Sequence, residues 1–165
     1  MKRLILSVLL APIVSISIAS AEPVTVSSED LSVVIGDDWS GELTYLNYGE
    51  PVKDFTIPAE IDVSLVEGGF EFSFQYPDEP HANSTMIAAI SGDGAQINDE
   101  TVIANMIDES GTREIRTTFS CEDMGQSATC EMIYTLGANR FEMRKMVTYD
   151  GASDAFRRNV FRFTR

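Results

Sequence analysis

From position 55 to 65 every second residue is apolar. Phe55, Ile57, Ala59, Ile61, Val63 and Leu65 alternate with Thr56, Pro58, Glu60, Asp62 and Ser64, and Asp54 leads the run. A period of two puts the apolar set on one face of an extended chain and the polar set on the other, as in a strand with one side in a core and one in water. Pro58 lacks an N–H for the ladder, so it marks an edge, a bend or a bulge. Gly68-Gly69 then supplies a tight turn. Phe70, Phe72, Phe74 and Tyr76 alternate with Glu71, Ser73 and Gln75, which predicts a second strand returning beside the first.

The same pattern fills the rest of the chain. Strands are predicted over 39–48, 85–90, 101–107 and 156–164, with a short partner ending near Asn98. Ile115, Thr117, Phe119 and Cys121 share a face of another strand. Cys130, Met132, Tyr134 and Leu136 share a face of its partner, and Phe141, Met143, Val147 and Tyr149 share a face of the penultimate one. Gly92-Asp93-Gly94, Ser110-Gly111, Gly137-Ala138-Asn139 and Asp150-Gly151 mark turns between them. The count is about ten strands. One short helix is expected, capped by Ser27 or Ser28, with Glu29 and Asp30 in its first turn and Gly36 at its end. Many short strands with almost no helix imply a barrel or a sandwich.

Residues 1–21 read as a secretory signal. Lys2 and Arg3 precede an apolar stretch, and Ala19-Ser20-Ala21 offers small residues for cleavage after Ala21. The expected mature protein is a single domain over 22–165, periplasmic or secreted, with no membrane span after signal removal. No cysteine follows the apolar stretch to take a lipid anchor. Loss of Lys2 and Arg3 moves the formal charge from −14 to −16. Such a chain is repelled by nucleic acid and by anionic lipid heads. Between residues 22 and 112 the only cation is Lys53, whereas nine cations lie from Arg113 to Arg165. That asymmetry predicts cross-strand pairing of an acidic front half with a basic back half. Cys121 and Cys130 are the only cysteines, and in an exported chain they read as a disulfide. They stand symmetrically about Gly125-Gln126. A hairpin centred there sets them directly opposite each other, both facing the core.

Trp39-Ser40-Gly41-Glu42-Leu43-Thr44-Tyr45 resembles the Trp-containing first strand of lipocalin-like, or calycin, barrels, in which a short helix or turn precedes the strand. Phe141 to Lys145 and Arg157 to Phe163 look like the closing strands of such a barrel. In many of these barrels a basic residue of the last strand covers the Trp. Gly36 stands three residues before Trp39, in place of the Gly-x-Trp of classical lipocalins. Front and back together also resemble a group of uncharacterised exported bacterial proteins. The resemblance implies an all-β, antiparallel up-and-down calycin-like barrel of about ten strands with a short N-terminal helix. Its first strand, around 42–48, is expected to pair antiparallel with its last, around 158–164.

Alternation also nominates an interior polar set: Tyr45, Asn47, Tyr134, Lys145, Arg157 and Asn159. Buried polar groups need partners or solvent. These residues either line a wet pocket and anchor the polar head of a ligand, or satisfy one another at a barrel end near Trp39. A single bulge would exchange Arg157 for Arg158 and Arg162. His81, the only histidine, lies in a turn-rich loop with Asp78 and Glu79, and reads as a solvated side chain and not a metal ligand. No nucleophile–base pairing, Gly-x-Ser-x-Gly or His-Glu-x-x-His is present, so catalysis is not expected and no cofactor is implied. By analogy of architecture, the expected function is non-catalytic binding of a small apolar or amphipathic molecule inside the barrel. The alternative is a filled barrel acting through its surface as an envelope interaction or accessory protein.

Overall fold

The computed structural model describes residues 22–165, so the predicted leader lies outside the described residues. A one-turn helix α1, Ser28–Leu31, is followed by a 3-10 turn, Ser32–Val34. The Asp30 carboxylate accepts the Ser27 backbone N–H at 2.9 Å, closing the helix start. Ten strands follow: β1 Gly36–Asn47, β2 Lys53–Val66, β3 Gly69–Gln75, β4 Ser84–Ala89, β5 Gln96–Ile97, β6 Glu100–Ile107, β7 Arg113–Asp123, β8 Gln126–Gly137, β9 Arg140–Tyr149 and β10 Phe156–Thr164. They form one antiparallel sheet in the order β4-β3-β2-β1-β10-β9-β8-β7-β6-β5. The expected pairing of first and last strands is present, from Ser40 opposite Thr164 to Tyr45 opposite Asn159.

Gly41 makes this closure sterically feasible. A Cβ there would lie 1.9 Å from the Arg162 carbonyl oxygen, so only glycine lets the two backbones meet. The seam lies elsewhere, between β4 and β5. They meet through the bridge of Ile90 and Ile97, and the Asn98 side chain accepts the Ala89 N–H at 2.9 Å. β5 has only two residues because Asn98 turns the chain back with φ of 54°. Among the described residues, the start of β4, around Ser84 and Met86, therefore has no strand on its open side.

Strand alternation stacks the interior in rows. The lowest holds the Trp39, Phe72, Phe141 and Phe163 rings, with neighbouring centroids 5.8–5.9 Å apart. Trp39 donates to the Val34 carbonyl at 2.8 Å, which ties the helical segment to the barrel floor. Arg165, just past β10, lies 4.2 Å over the Trp39 ring and donates to the carbonyls of Val33, Ile35 and Ala138. This is the basic cover over the Trp that the resemblance implies. The next row joins Ile57, Leu43, Phe161, Met143, Tyr134 and Ile115 across six strands.

The charge asymmetry resolves only partly into front-to-back pairs. Asp30–Arg113, Glu42–Arg162, Asp54–Arg157 and Asp38–Arg165 match the expectation. Glu142 instead draws on Arg140, Arg144 and Arg162, all from the back half, and is 2% exposed on the outer face. Arg116 likewise pairs with Glu114 and Glu131.

The disulfide is present, but its predicted register needs correction. Asp123 pairs with Gln126, so the turn is Met124-Gly125, with φ of 50° and 75°. A two-residue turn with both φ positive puts glycine at its second position, which moves the hairpin centre by one residue from the symmetric expectation. Cys121 then faces Ala128 and Cys130 faces Phe119. The bond runs diagonally, with Cα atoms 5.8 Å apart, and both cysteines still share the interior face.

Candidate functional site

Above the two packed rows, the interior changes character. The third row runs Phe55, Tyr45, Asn159, Lys145, Met132, Thr117, Val102 across β2, β1, β10, β9, β8, β7 and β6. Three of the six nominated polar residues therefore sit side by side on it. A cavity of about 260 Å³ opens at this level. Phe161 and Met143 belong to the row beneath and form its base. Phe74, Tyr76, Ser84 and Met86 face it from β3, β4 and the loop between them, on the side of the seam; Met132, Lys145 and Asn159 complete its lining.

The nominated residues separate. Lys145 and Asn159 line the cavity. Tyr134 is buried in the row below, where burial, and next the nearby charge of Glu100, push its phenol up. Tyr45 stacks on Phe55 at the rim, with ring centroids 6.2 Å apart. Asn47, the last residue of β1, does not line the cavity, and its side-chain oxygen accepts the Gly49 N–H at 2.9 Å. Arg157 also departs from its expected inward position. The ladder shifts register between Arg157 and Asn159, so Arg157 pairs with Met146 and its guanidinium goes to Asp54. A bulge places one extra residue, and every position beyond it changes face.

That bulge frees Arg158 for the upper barrel end. Its Nε donates to Asp123 at 3.0 Å and its Nη1 to the Leu46 carbonyl at 2.6 Å, with the guanidinium 4.9 Å over the Tyr48 ring. The Tyr48 and Tyr149 hydroxyls also donate to Asp123, at 2.5 and 2.8 Å. Burial opposes the Asp123 carboxylate, but these hydrogen bonds and the Arg158 charge outweigh it and hold its pKa below the usual range. Burial, and after it the Asp123 carboxylate and the Tyr149 hydroxyl, push the Tyr48 phenol up. This cluster latches the β7–β8 hairpin to β9, β10 and β1.

One further interior polar residue, Glu100, escaped the sequence reading. Glu100 opens β6, more than half buried, and accepts a hydrogen bond from the buried Thr117 hydroxyl. Burial raises its pKa, against the pull of the Thr117 hydrogen bond and then of the Lys145 charge. The signal was the Glu100–Val102 alternation, which the register shift between Val102 and Ala104 interrupts. The Lys145 ammonium lies 5.8 Å from the Phe119 ring centroid and makes no ion pair among the described residues.

His81 lies exposed in the 3-10 turn Pro80–Ala82. Among the described residues no three His, Cys, Asp or Glu side chains are grouped to hold a metal. No family model and no curated protein matches this chain.

Proposed function

We propose that this protein is an exported, non-catalytic carrier of a small amphipathic molecule, held in the upper barrel. The observation that carries this reading is the cavity itself. Its wall is built from Phe74, Tyr76, Met86, Met132, Met143 and Phe161, with Lys145 and Asn159 as its polar functions beside Ser84. Apolar walls with a few placed polar groups are the usual make-up of a small-molecule site. At about 260 Å³ it suits a ligand of roughly eight to ten non-hydrogen atoms, taking about 30 Å³ for each. Methionine side chains adapt their shape to irregular guests. The Cys121–Cys130 bond supports residence in an oxidising compartment, and the predicted leader supplies the route. The ion pairs on the outer face, around Glu142 and Arg116, are unlike the apolar belt of a membrane barrel.

The test is methyl NMR of methionine-labelled protein titrated with hexan-1-ol and hexanoate. The Met86, Met132 and Met143 methyls are expected to shift saturably, while Met124, on the hairpin tip, stays fixed. No saturable shift up to about 10 mM ligand, where even a weak site with Kd near 1 mM would fill, ends the reading. The surface-acting alternative would then lead. It has one observation in its favour: Met106 and Ile107 are exposed in a groove beside Arg140 and Arg144.

A further inference from the structure

Among the described residues, all eight arginines from Arg113 to Arg165 stand in ion pairs with acids of the barrel. The two described lysines, Lys53 and Lys145, stand in none. Lys53 opens β2 on the exposed rim, where water solvates it. Lys145 is only partly exposed and lines the cavity, with its ammonium 5.8 Å from the Phe119 ring centroid. Glu100 does not come to it: that carboxylate stays on the Thr117 hydroxyl and lines a separate open pocket at the start of β6. A chain with 26 acids against 12 basic residues thus leaves one inward cation without a counter-charge. An ammonium beside apolar walls is costly unless an anion pairs it.

A second donor stands beside that charge. Asn159 is the direct partner of Lys145 across the β9–β10 ladder, and both side chains line the cavity. Directly opposed residues hold their Cβ atoms about 4.5–5.5 Å apart. The ammonium offers donors and no acceptor, and the amide offers an N–H₂. A carboxylate set over the pair takes one oxygen to each, and its bond to the ammonium is charge-assisted. We infer that the cavity is selective for an aliphatic monocarboxylate of about six to eight carbons, its head on Lys145 and Asn159 and its chain over Met143 and Phe161 toward Phe74 and Met86. The length follows from the cavity of about 260 Å³, which takes roughly eight to ten non-hydrogen atoms. An alcohol of the same length leaves the ammonium without a counter-charge, and an amine sets a second cation beside it. The inference rests on the proposed cavity binding and narrows it from amphipathic molecules at large to anions.

The experiment titrates the labelled protein at pH 7 with hexanoate, hexan-1-ol and hexan-1-amine, which share a chain and differ in head charge. The Met132 and Met143 methyls report occupancy. Hexanoate is expected to bind about tenfold or more tightly than hexan-1-ol, the equivalent of one hydrogen bond to a charged group, and hexan-1-amine is expected to be the weakest. The net negative charge of the chain attracts the amine and repels the acid at every nonspecific position, so a preference for the acid reports the cavity. Lys145→Met is expected to abolish that preference, and Lys53→Met, on the rim, to leave it intact. If the alcohol or the amine binds the unsubstituted protein as tightly as hexanoate, the anion inference is wrong and the carrier reading stands. The same holds if Lys145→Met keeps the full preference. If none of the three shifts the methyls, both fall. The comparison of head groups on unsubstituted protein decides the matter even where a variant fails to fold.

Discussion

Replacing Asp123 by Asn tests whether the latch at the upper barrel end holds the β7–β8 hairpin in place. The side chain is 9% exposed and accepts from Tyr48, Tyr149 and Arg158. Asn keeps the shape and one acceptor, but it removes the charge and turns an N–H₂ toward a donor. Breaking a buried ion pair from one side costs about 3–5 kcal/mol. Arg158 is 27% exposed and can recover part of its hydration, so the expected loss is about 2–3 kcal/mol. In a domain of this size that lowers Tm by roughly 6–12 °C. The single tryptophan, Trp39, buried on the barrel floor, gives the signal for urea unfolding at pH 7. Asp54→Asn is the control, because the Asp54–Arg157 pair is far more exposed and should contribute under about 1 kcal/mol. The effect has a defined pH window. Asp123 has a depressed pKa in the fold, so its stabilisation is fully present above the unfolded value of about 3.9 and is lost as pH falls through the folded one. Tyr48 has a raised pKa, so its share is present below about pH 10 and lost at higher pH. The difference between unsubstituted protein and Asp123→Asn should therefore be flat from about pH 5 to 9 and close toward pH 2. A difference under about 0.5 kcal/mol at pH 7, the scatter of ordinary surface substitutions, would refute the latch. So would one that persists unchanged into acid.

The disulfide closes a short loop, sequence separation 9, so replacing both cysteines by serine should cost about 2–3 kcal/mol in urea unfolding, and the native, unreduced protein should take up no alkylating agent. Arg165→Met removes three donors to backbone carbonyls and the cover of Trp39. It should cost about 1–2 kcal/mol and shift Trp39 emission to the red, and an unchanged spectrum would count against that cover. Gly41→Ala drives a methyl into the Arg162 carbonyl at the β1–β10 pairing. A loss of about 2–3 kcal/mol is expected, with faster amide exchange along Ser40 to Tyr45, whereas near-neutral behaviour would mean that the pairing yields there.

Alternation along the chain determined most of the architecture, because the side-chain period of a strand is fixed at two by backbone geometry whatever the fold around it. The runs from Phe55 and from Phe70 and the shared face of the two cysteines were legible that way, the helix start was legible from its capping residues, and the β1–β10 pairing was what the resemblance to calycin barrels implied. Parity also turned Lys145, Asn159 and Tyr45 inward, and the strand register then set them on one row. What it could not carry was any feature that depends on a single extra residue. The register shift near Arg158 sent Arg157 to Asp54 and Arg158 to Asp123, and the one near Ile103 hid Glu100. The turn at Met124-Gly125 moved the disulfide from opposed to diagonal. Bulges and turns are decided by how twisted strands meet their neighbours and close a barrel, a property of the whole sheet. Tertiary packing alone likewise chose the weak seam between β4 and β5 and left a cavity above the packed floor, with Lys145 and Asn159 on its wall.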